Sequence, residues 1–389
     1  MTSSAPEVMF FLPELGGGGA EMNAVRLAQG LLDNGIRPVY VVARGPGSYA
    51  KFLPEDVEVI VLPTGNMKSS LLKLYRSIGP LKKLIDERKP DIVCPVMPLP
   101  SLSMLTAIKK TRHKPRIVLS VQNALSKDVF GGNKIVSKLQ TTLIPRRWPD
   151  SNMIIALSQG VADEIAHYYP DLKDRTQVIP NVGMPLDNQI SDEARKPKAP
   201  SENGKIRFIA CGRLNVQKGY PYLLKAFADV ARTRDVELNI LGVGGLQAEL
   251  EALAVQLGIR DRIHFLGFQN DPLVHMKNAD IFVLSSLWEG FGNVIVEAMA
   301  MATPVVSTAC PHGPSEIITH DVNGLLVEPA NAADLAQAMG RLTDDPDLRQ
   351  TLSTAGLERA KDYTSDIIAA QYAAAFHSVV EPGHAEALT

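Results

Sequence analysis

The stretch Asp187-Asn-Gln-Ile-Ser-Asp-Glu-Ala-Arg-Lys-Pro-Lys-Ala-Pro-Ser-Glu-Asn-Gly-Lys205 divides the sequence into two halves built on the same pattern. It is polar and carries two prolines, so it reads as a linker. Before it, apolar runs at residues 8–12, 39–43, 57–62, 91–95, 116–121, 153–157 and 177–179 alternate with helical patterns, the clearest at 21–34. After it, the series restarts at 206–211, 237–241, 262–265, 281–284, 305–307 and 324–327. The runs are near-continuously apolar rather than alternating, as expected for strands of a parallel sheet covered on both faces. Two βα series joined by a linker predict two doubly wound α/β domains facing each other across a cleft. In such sheets ligands bind outside the carboxyl ends of the strands.

The composition is that of a globular protein: 389 residues, 45% hydrophobic and 21% charged. This excludes a disordered chain or a disulfide-rich framework. Cys94, Cys211 and Cys310 are sparse and widely spaced, which fits a reducing compartment and no zinc set. A membrane-spanning helix needs ~20 apolar residues, and the apolar runs are far shorter. The first residues have neither a basic start nor an apolar signal core, so a cytoplasmic protein is expected. The formal charge of −2 conceals a division: residues 1–190 carry +6 and residues 191–389 carry −8. Residues 68–147 alone hold 17 basic and 4 acidic side chains.

Three loops could carry chemistry. Leu15-Gly-Gly-Gly-Gly-Ala-Glu21 joins a strand to a helix. Its glycines allow backbone N–H groups close to an anion, although they also suit a flexible connection. It is not a GxGxxG, and no acidic ribose anchor ends a second strand, so a dinucleotide fold is weakly supported. Gly212-Arg213-Leu-Asn-Val-Gln-Lys218-Gly219 follows the first strand of the second half and places a guanidinium and an ammonium where a diphosphate would sit. Leu287-Trp-Glu289-Gly290-Phe291-Gly292-Asn293-Val-Ile-Val-Glu297 follows the strand at 281–284, with a helix expected to start near Asn293. Glu289 then lies in the loop and Glu297 in the first turns of the helix, two carboxylates able to accept hydrogen bonds from sugar hydroxyls beside a helix N-terminus suited to phosphate.

As a set, these motifs resemble the signature of the retaining glycosyltransferase family 4. The resemblance also covers Gly18-Gly19-Ala20-Glu21, Ile179-Pro180-Asn181-Val182, Phe265-Leu-Gly-Phe268, Ala279-Asp280, Gly313-Pro-Ser-Glu-Ile317 and Asn323-Gly-Leu-Leu326. It implies a GT-B fold, with an acceptor domain over 1–190, a donor domain over 191–365 and a last helix over 366–389 crossing back to the first. It further implies that Arg213 and Lys218 bind the donor diphosphate and that Glu297 holds the ribose. Glu289 and the loop Gly290, Phe291, Gly292 and Asn293 would hold the donor sugar, Phe268 would pack on the base, and Gly18 and Gly19 would face phosphate.

One position departs from the family pattern. Gln122 stands where many members have a His touching the donor sugar, and Gln cannot take a proton. A retaining front-face displacement, in which the departing phosphate accepts the acceptor's proton, needs no such base. His113 and His312 are the nearest alternatives. The catalytic set expected is therefore Glu289, Arg213, Lys218 and Gln122. No essential metal is expected, because Arg213 and Lys218 would take its role at the diphosphate, and no cofactor is expected beyond the nucleotide sugar as co-substrate.

The basic stretch includes Lys82 and Lys83 in an amphipathic segment broken by Pro80, and Arg146 and Arg147 beside Ile144 and Trp148. It is a solvated face, or it meets an anionic membrane or a lipid-linked acceptor. The absence of aromatic interleaving argues against nucleic acid. The activity expected is transfer of a hexose or N-acetylhexosamine from a UDP-sugar to a glycan or lipid-linked acceptor, in the cytoplasm and peripheral to the membrane. A GT-B nucleotide-sugar 2-epimerase would need an acid/base set that Gln122 does not offer. The intact set of Arg213, Lys218, Glu289 and Glu297 argues against a non-catalytic nucleotide-sugar binding protein.

Overall fold

The computed structural model describes residues 5–65, 70–128, 134–195 and 204–380. Lys68, residues 196–203 of the linker and residues 381–389 of the last predicted segment lie outside them. The chain forms two compact units, one running to Val182 and resuming at Ser365, the other spanning Gly183–Thr364.

The first unit contains strands β1 (Glu7–Leu12), β2 (Arg37–Val42), β3 (Glu58–Val61), β4 (Ile92–Pro95), β5 (Arg116–Val121), β6 (Met153–Ala156) and β7 (Thr176–Val178). They form one parallel sheet in the order β3-β2-β1-β4-β5-β6-β7. All six residues of β1 are buried because helices cover both of its faces. Helices α1 (Gly19–Asp33), α2 (Ser70–Arg88), α3 (Pro98–Ile108), α4 (Leu125–Asp128), α5 (Lys134–Arg147) and α6 (Gln159–Tyr168) lie in the connections between the strands. The second unit opens with the short α7 (Asp192–Arg195). Its strands β8 (Ile206–Cys211), β9 (Val236–Leu241), β10 (Ile263–Gly267), β11 (Ile281–Leu284), β12 (Val305–Thr308) and β13 (Leu325–Val327) are ordered β10-β9-β8-β11-β12-β13, again all parallel. Helices α8 (Tyr220–Ala231), α9 (Gln247–Gln256), α10 (Pro272–Asn278), α11 (Asn293–Ala300), α12 (Pro314–Ile317), α13 (Ala332–Asp344) and α14 (Pro346–Ala360) complete it.

The last described helix, α15 (Ser365–Val380), belongs to the first unit. Tyr372 and Phe376 are fully buried, and Phe376 meets Phe10 of β1 edge-on at 6.0 Å. α15 approaches α1 so closely that a Cβ on Gly30 would lie 2.5 Å from that of Ala369. The break between units falls at Val182, ahead of the boundary at 190 expected from the sequence. Val182 is held by α1, its N–H donating to Asn23 Oδ1 at 2.8 Å and its carbonyl accepting from Arg26 at 3.2 Å. Met184 N–H instead donates to Tyr363 O at 3.1 Å, and Gly183 lies against Val296, both in the second unit.

One expectation for the basic stretch is corrected. Pro80 does not break the segment, and α2 runs through it. Leu74, Ser77, Leu81 and Ile85 form a buried stripe along this helix, and that packing holds the turn despite the missing N–H. Ile144 and Trp148, beside the cations Arg146 and Arg147, are fully buried, with the Trp148 indole donating to Ser101 Oγ at 2.9 Å.

Candidate active site

In the second sheet β8 lies beside β11, while the connections after them run to opposite edges through β9 and β12. This is the switch point at which the loops leaving two adjacent strands diverge and open a crevice. The loops at the carboxyl ends of β8 and β11 are the two that carry Arg213, Lys218 and Glu289.

These loops are laced together. Leu287 N–H donates to Gln217 O at 2.7 Å, the Gln217 amide to Trp288 O at 3.0 Å, and Ser285 Oγ to Lys218 O at 2.8 Å. Gly219 adopts φ +61 and approaches Ser285 so closely that a Cβ would lie 2.1 Å from its carbonyl oxygen. The lacing brings Lys218 Nζ to 2.6 Å from Glu289 Oε1, which also accepts from Ser286 Oγ at 2.5 Å. The lysine and glutamate side chains are only 15% and 8% exposed. An ammonium has three donors, so Lys218 can hold Glu289 and still offer protons to a phosphate oxygen.

Arg213 is exposed at the mouth of the same loop. Gly290, Phe291 and Gly292 are buried, and Gly292, at φ +101, caps α11, which begins at Asn293. Glu297 is half-buried on α11 and faces Cys211 at the end of β8. Burial first, and the Glu297 carboxylate second, push the Cys211 thiol up to about 12. Burial and Glu289 do the same to Cys310. Both thiols are therefore protonated near neutral pH. Phe268 stands apart from this cluster, 62% exposed just after the edge strand β10.

The remaining predicted residues lie in the first unit. Gly18 is the N-cap of α1, which begins at Gly19, and it makes no side-chain cap bond. Gln122 follows β5 and donates its amide to Ser120 Oγ at 2.8 Å. Beside them is the buried hydroxyl of Tyr372, a contact the sequence did not announce because α15 supplies it from the far end of the chain. Burial, and Cys94 next, raise this phenol.

His113 is not placed for base chemistry. Its Nε2 lies 2.7 Å from Pro90 O, ahead of the amino end of β4. His312 is tied by its backbone N–H to Glu289 O at 3.1 Å. Lys82 and Lys83 pair with Asp86 and Glu87 one turn on, at 3.0 and 3.7 Å, while Arg146 is exposed and Arg147 half-buried. Two motifs of the resemblance serve the fold: Asp280 accepts from Arg207 N–H at 2.7 Å, and Asn323 from Thr319 N–H at 2.8 Å. Ser286 is the residue sequence reading missed at the site itself, its one signal being the Ser-Ser pair ending β11.

Known proteins match this arrangement. The profile of Glycosyl transferases group 1 matches residues 191–359 and that of Glycosyltransferase Family 4 matches residues 17–182. An uncharacterized glycosyltransferase of Methanocaldococcus jannaschii is 30% identical over 79% of this chain and 85% of its own length. The N-acetylgalactosamine-N,N'-diacetylbacillosaminyl-diphospho-undecaprenol 4-alpha-N-acetylgalactosaminyltransferase of Campylobacter jejuni is 30% identical over 59% of this chain and 60% of its own. Among solved structures, Anabaena HepE in complex with UDP and glucose superposes with a TM-score of 0.78 at 22% identity, covering 96% of this chain and all of that one. The two parallel sheets, the laced loops at the second switch point and these matches together place the chain in the group 1, family 4 glycosyltransferases, with a two-domain GT-B fold.

Proposed function

We propose that this glycosyltransferase moves a hexose or N-acetylhexosamine from a UDP-linked donor onto a glycan or lipid-linked acceptor, with retention of configuration and without a metal. The observation that carries the reading is the Lys218–Glu289 pair at the β8/β11 switch point, with Arg213 on the same loop as Lys218. Cations there suit a diphosphate leaving group, and a carboxylate suits sugar hydroxyls. The anomeric carbon–oxygen bond to the diphosphate breaks as the acceptor oxygen bonds to the same face of that carbon. The acceptor's proton passes to the departing phosphate oxygen, giving glycoside and UDP. Gln122 takes no proton in this scheme.

The donor assignment is supported by the UDP and glucose in the HepE complex. The acceptor assignment is supported by the diphospho-undecaprenol in the name of the Campylobacter relative, and by relatives named for lipopolysaccharide core biosynthesis. We place the reaction in lipopolysaccharide or related glycoconjugate assembly, in the cytoplasm at the face of the membrane. Among the described residues, no helix is long and apolar enough to cross a membrane. Exposed Leu72 and Tyr75 on α2, beside Arg76, suit peripheral contact with an anionic surface.

A thermal-shift screen of nucleotide sugars, followed by transfer and donor-hydrolysis assays, tests the reading. UDP-sugars should stabilise the protein, EDTA should not slow turnover, and the product should keep the donor's anomeric configuration by NMR. Lys218→Ala should lower turnover ~100-fold or more. A variant working near the wild-type rate would remove the diphosphate assignment, and an inverted product would remove retention.

A further inference from the structure

Arg359 lies in the last turn of α14 and Tyr363 in the 3-10 turn that follows it, and neither was singled out by the sequence. Arg359 Nε donates to Ile317 O at 3.1 Å and its Nη2 to Glu316 O at 2.7 Å, satisfying the carbonyls at the end of α12. The same Nη2 donates to the Tyr363 hydroxyl at 2.7 Å, and the guanidinium lies 5.1 Å from the centre of its ring. Tyr363 is 5% exposed and meets Phe291 edge-to-face, with centroids 5.2 Å apart at 70°. Phe291 is two residues from Glu289.

Phe291 is fixed on its other side as well. A Cβ on Gly313 would lie 2.2 Å from Phe291 O, so the loop before α12 packs directly on the loop after β11. Glu289 N–H donates to Pro311 O at 2.7 Å and His312 N–H to Glu289 O at 3.1 Å, a short ladder that makes the two loops one body. Arg359 therefore grips that body through α12 while Tyr363 grips it through Phe291. Every group in the chain of contact lies in the second unit.

We infer that Arg359 and Tyr363 are positioning residues for sugar transfer, a clasp that sets the loops 289–292 and 311–313 against the donor sugar without touching it. The inference rests on the donor reading above. A displacement of about 1 Å at a reacting centre can cost ~100-fold in rate, and this clasp ties the end of α14 to the Glu289 loop, beside the packing of Gly356 of α14 on Met299 of α11.

Tyr363→Ala, Tyr363→Phe and Arg359→Ala are compared with wild type by UDP affinity, kcat and KM for the donor, and the ratio of transfer to donor hydrolysis. Tyr363→Ala and Arg359→Ala should lose ~10–100-fold in kcat per folded molecule and shift toward hydrolysis, with UDP affinity changed less than about threefold. Tyr363→Phe keeps the ring on Phe291 and should recover most of that loss, which keeps the test open if the alanine variants fold poorly. Unchanged kcat and transfer ratio in the folded fraction of all three would overturn the inference alone. A wild type that binds neither UDP nor any nucleotide sugar would overturn the donor reading and this inference with it.

Discussion

At the scale of single residues, Lys218 and Glu289 matter first to each other. Each is largely buried, and removing one partner of a buried pair typically costs ~3–5 kcal/mol because the other charge is left without compensation. Lys218→Ala should therefore lower stability by about 3 kcal/mol in the absence of ligand. Combining it with Glu289→Gln should return at least about 1 kcal/mol, since the amide is neutral and can still accept from Ser286. Denaturant titration of the two single variants and the double checks this, and strictly additive losses would mean the pair is not coupled. Both residues were legible in the sequence as loop residues at strand ends, each in its own loop. Their pairing was not, because it joins loops 71 positions apart and depends on the order β8-β11 in the sheet.

At the scale of elements, the contact of α1 with α15 turns on Gly30. Alanine is the better helix former by ~1 kcal/mol, so an exposed glycine replaced here would gain stability. The added Cβ would instead lie 2.5 Å from Ala369 Cβ and 2.8 Å from Ser365 O. Overpacking of this kind costs ~1–3 kcal/mol, so the clash outweighs propensity and Gly30→Ala should destabilise by about 1 kcal/mol. A raised denaturation midpoint would contradict the close packing. The strands were the most legible elements, because buried parallel strands announce themselves as short apolar runs between turn residues. α2 was less legible: Pro80 signals a break locally, and only the stripe of Leu74, Leu81 and Ile85 against the core keeps the helix whole.

At the scale of the whole molecule, the basic residues of the first unit bear on where the protein works. With Ile144 and Trp148 in the core, the exposed large apolar side chains among the described residues of the basic stretch are Leu72, Tyr75 and Leu139, which are 42%, 70% and 44% exposed. Such binding should be screened by salt. Anionic liposomes should retain the protein at ~20 mM salt and release it at ~0.5 M, while neutral liposomes should not retain it. Failure to bind anionic liposomes at any salt would leave the basic stretch as a solvated face.

The sequence by itself determined that there are two doubly wound sheets. It also determined that the second places Arg213, Lys218, Glu289 and Glu297 at strand ends and the start of a helix. Those features are local: an apolar run, a glycine-bearing loop and a helix start all lie within about twenty residues, and residue type is enough to read them. Tertiary structure alone decided that Lys218 holds Glu289, that α15 completes the core of the first unit, that Trp148 faces inward, and that Arg359 and Tyr363 reach Phe291. Each of these joins segments far apart in the chain. Periodicity says which face of an element is apolar, but the packing of the whole unit decides which partner covers it.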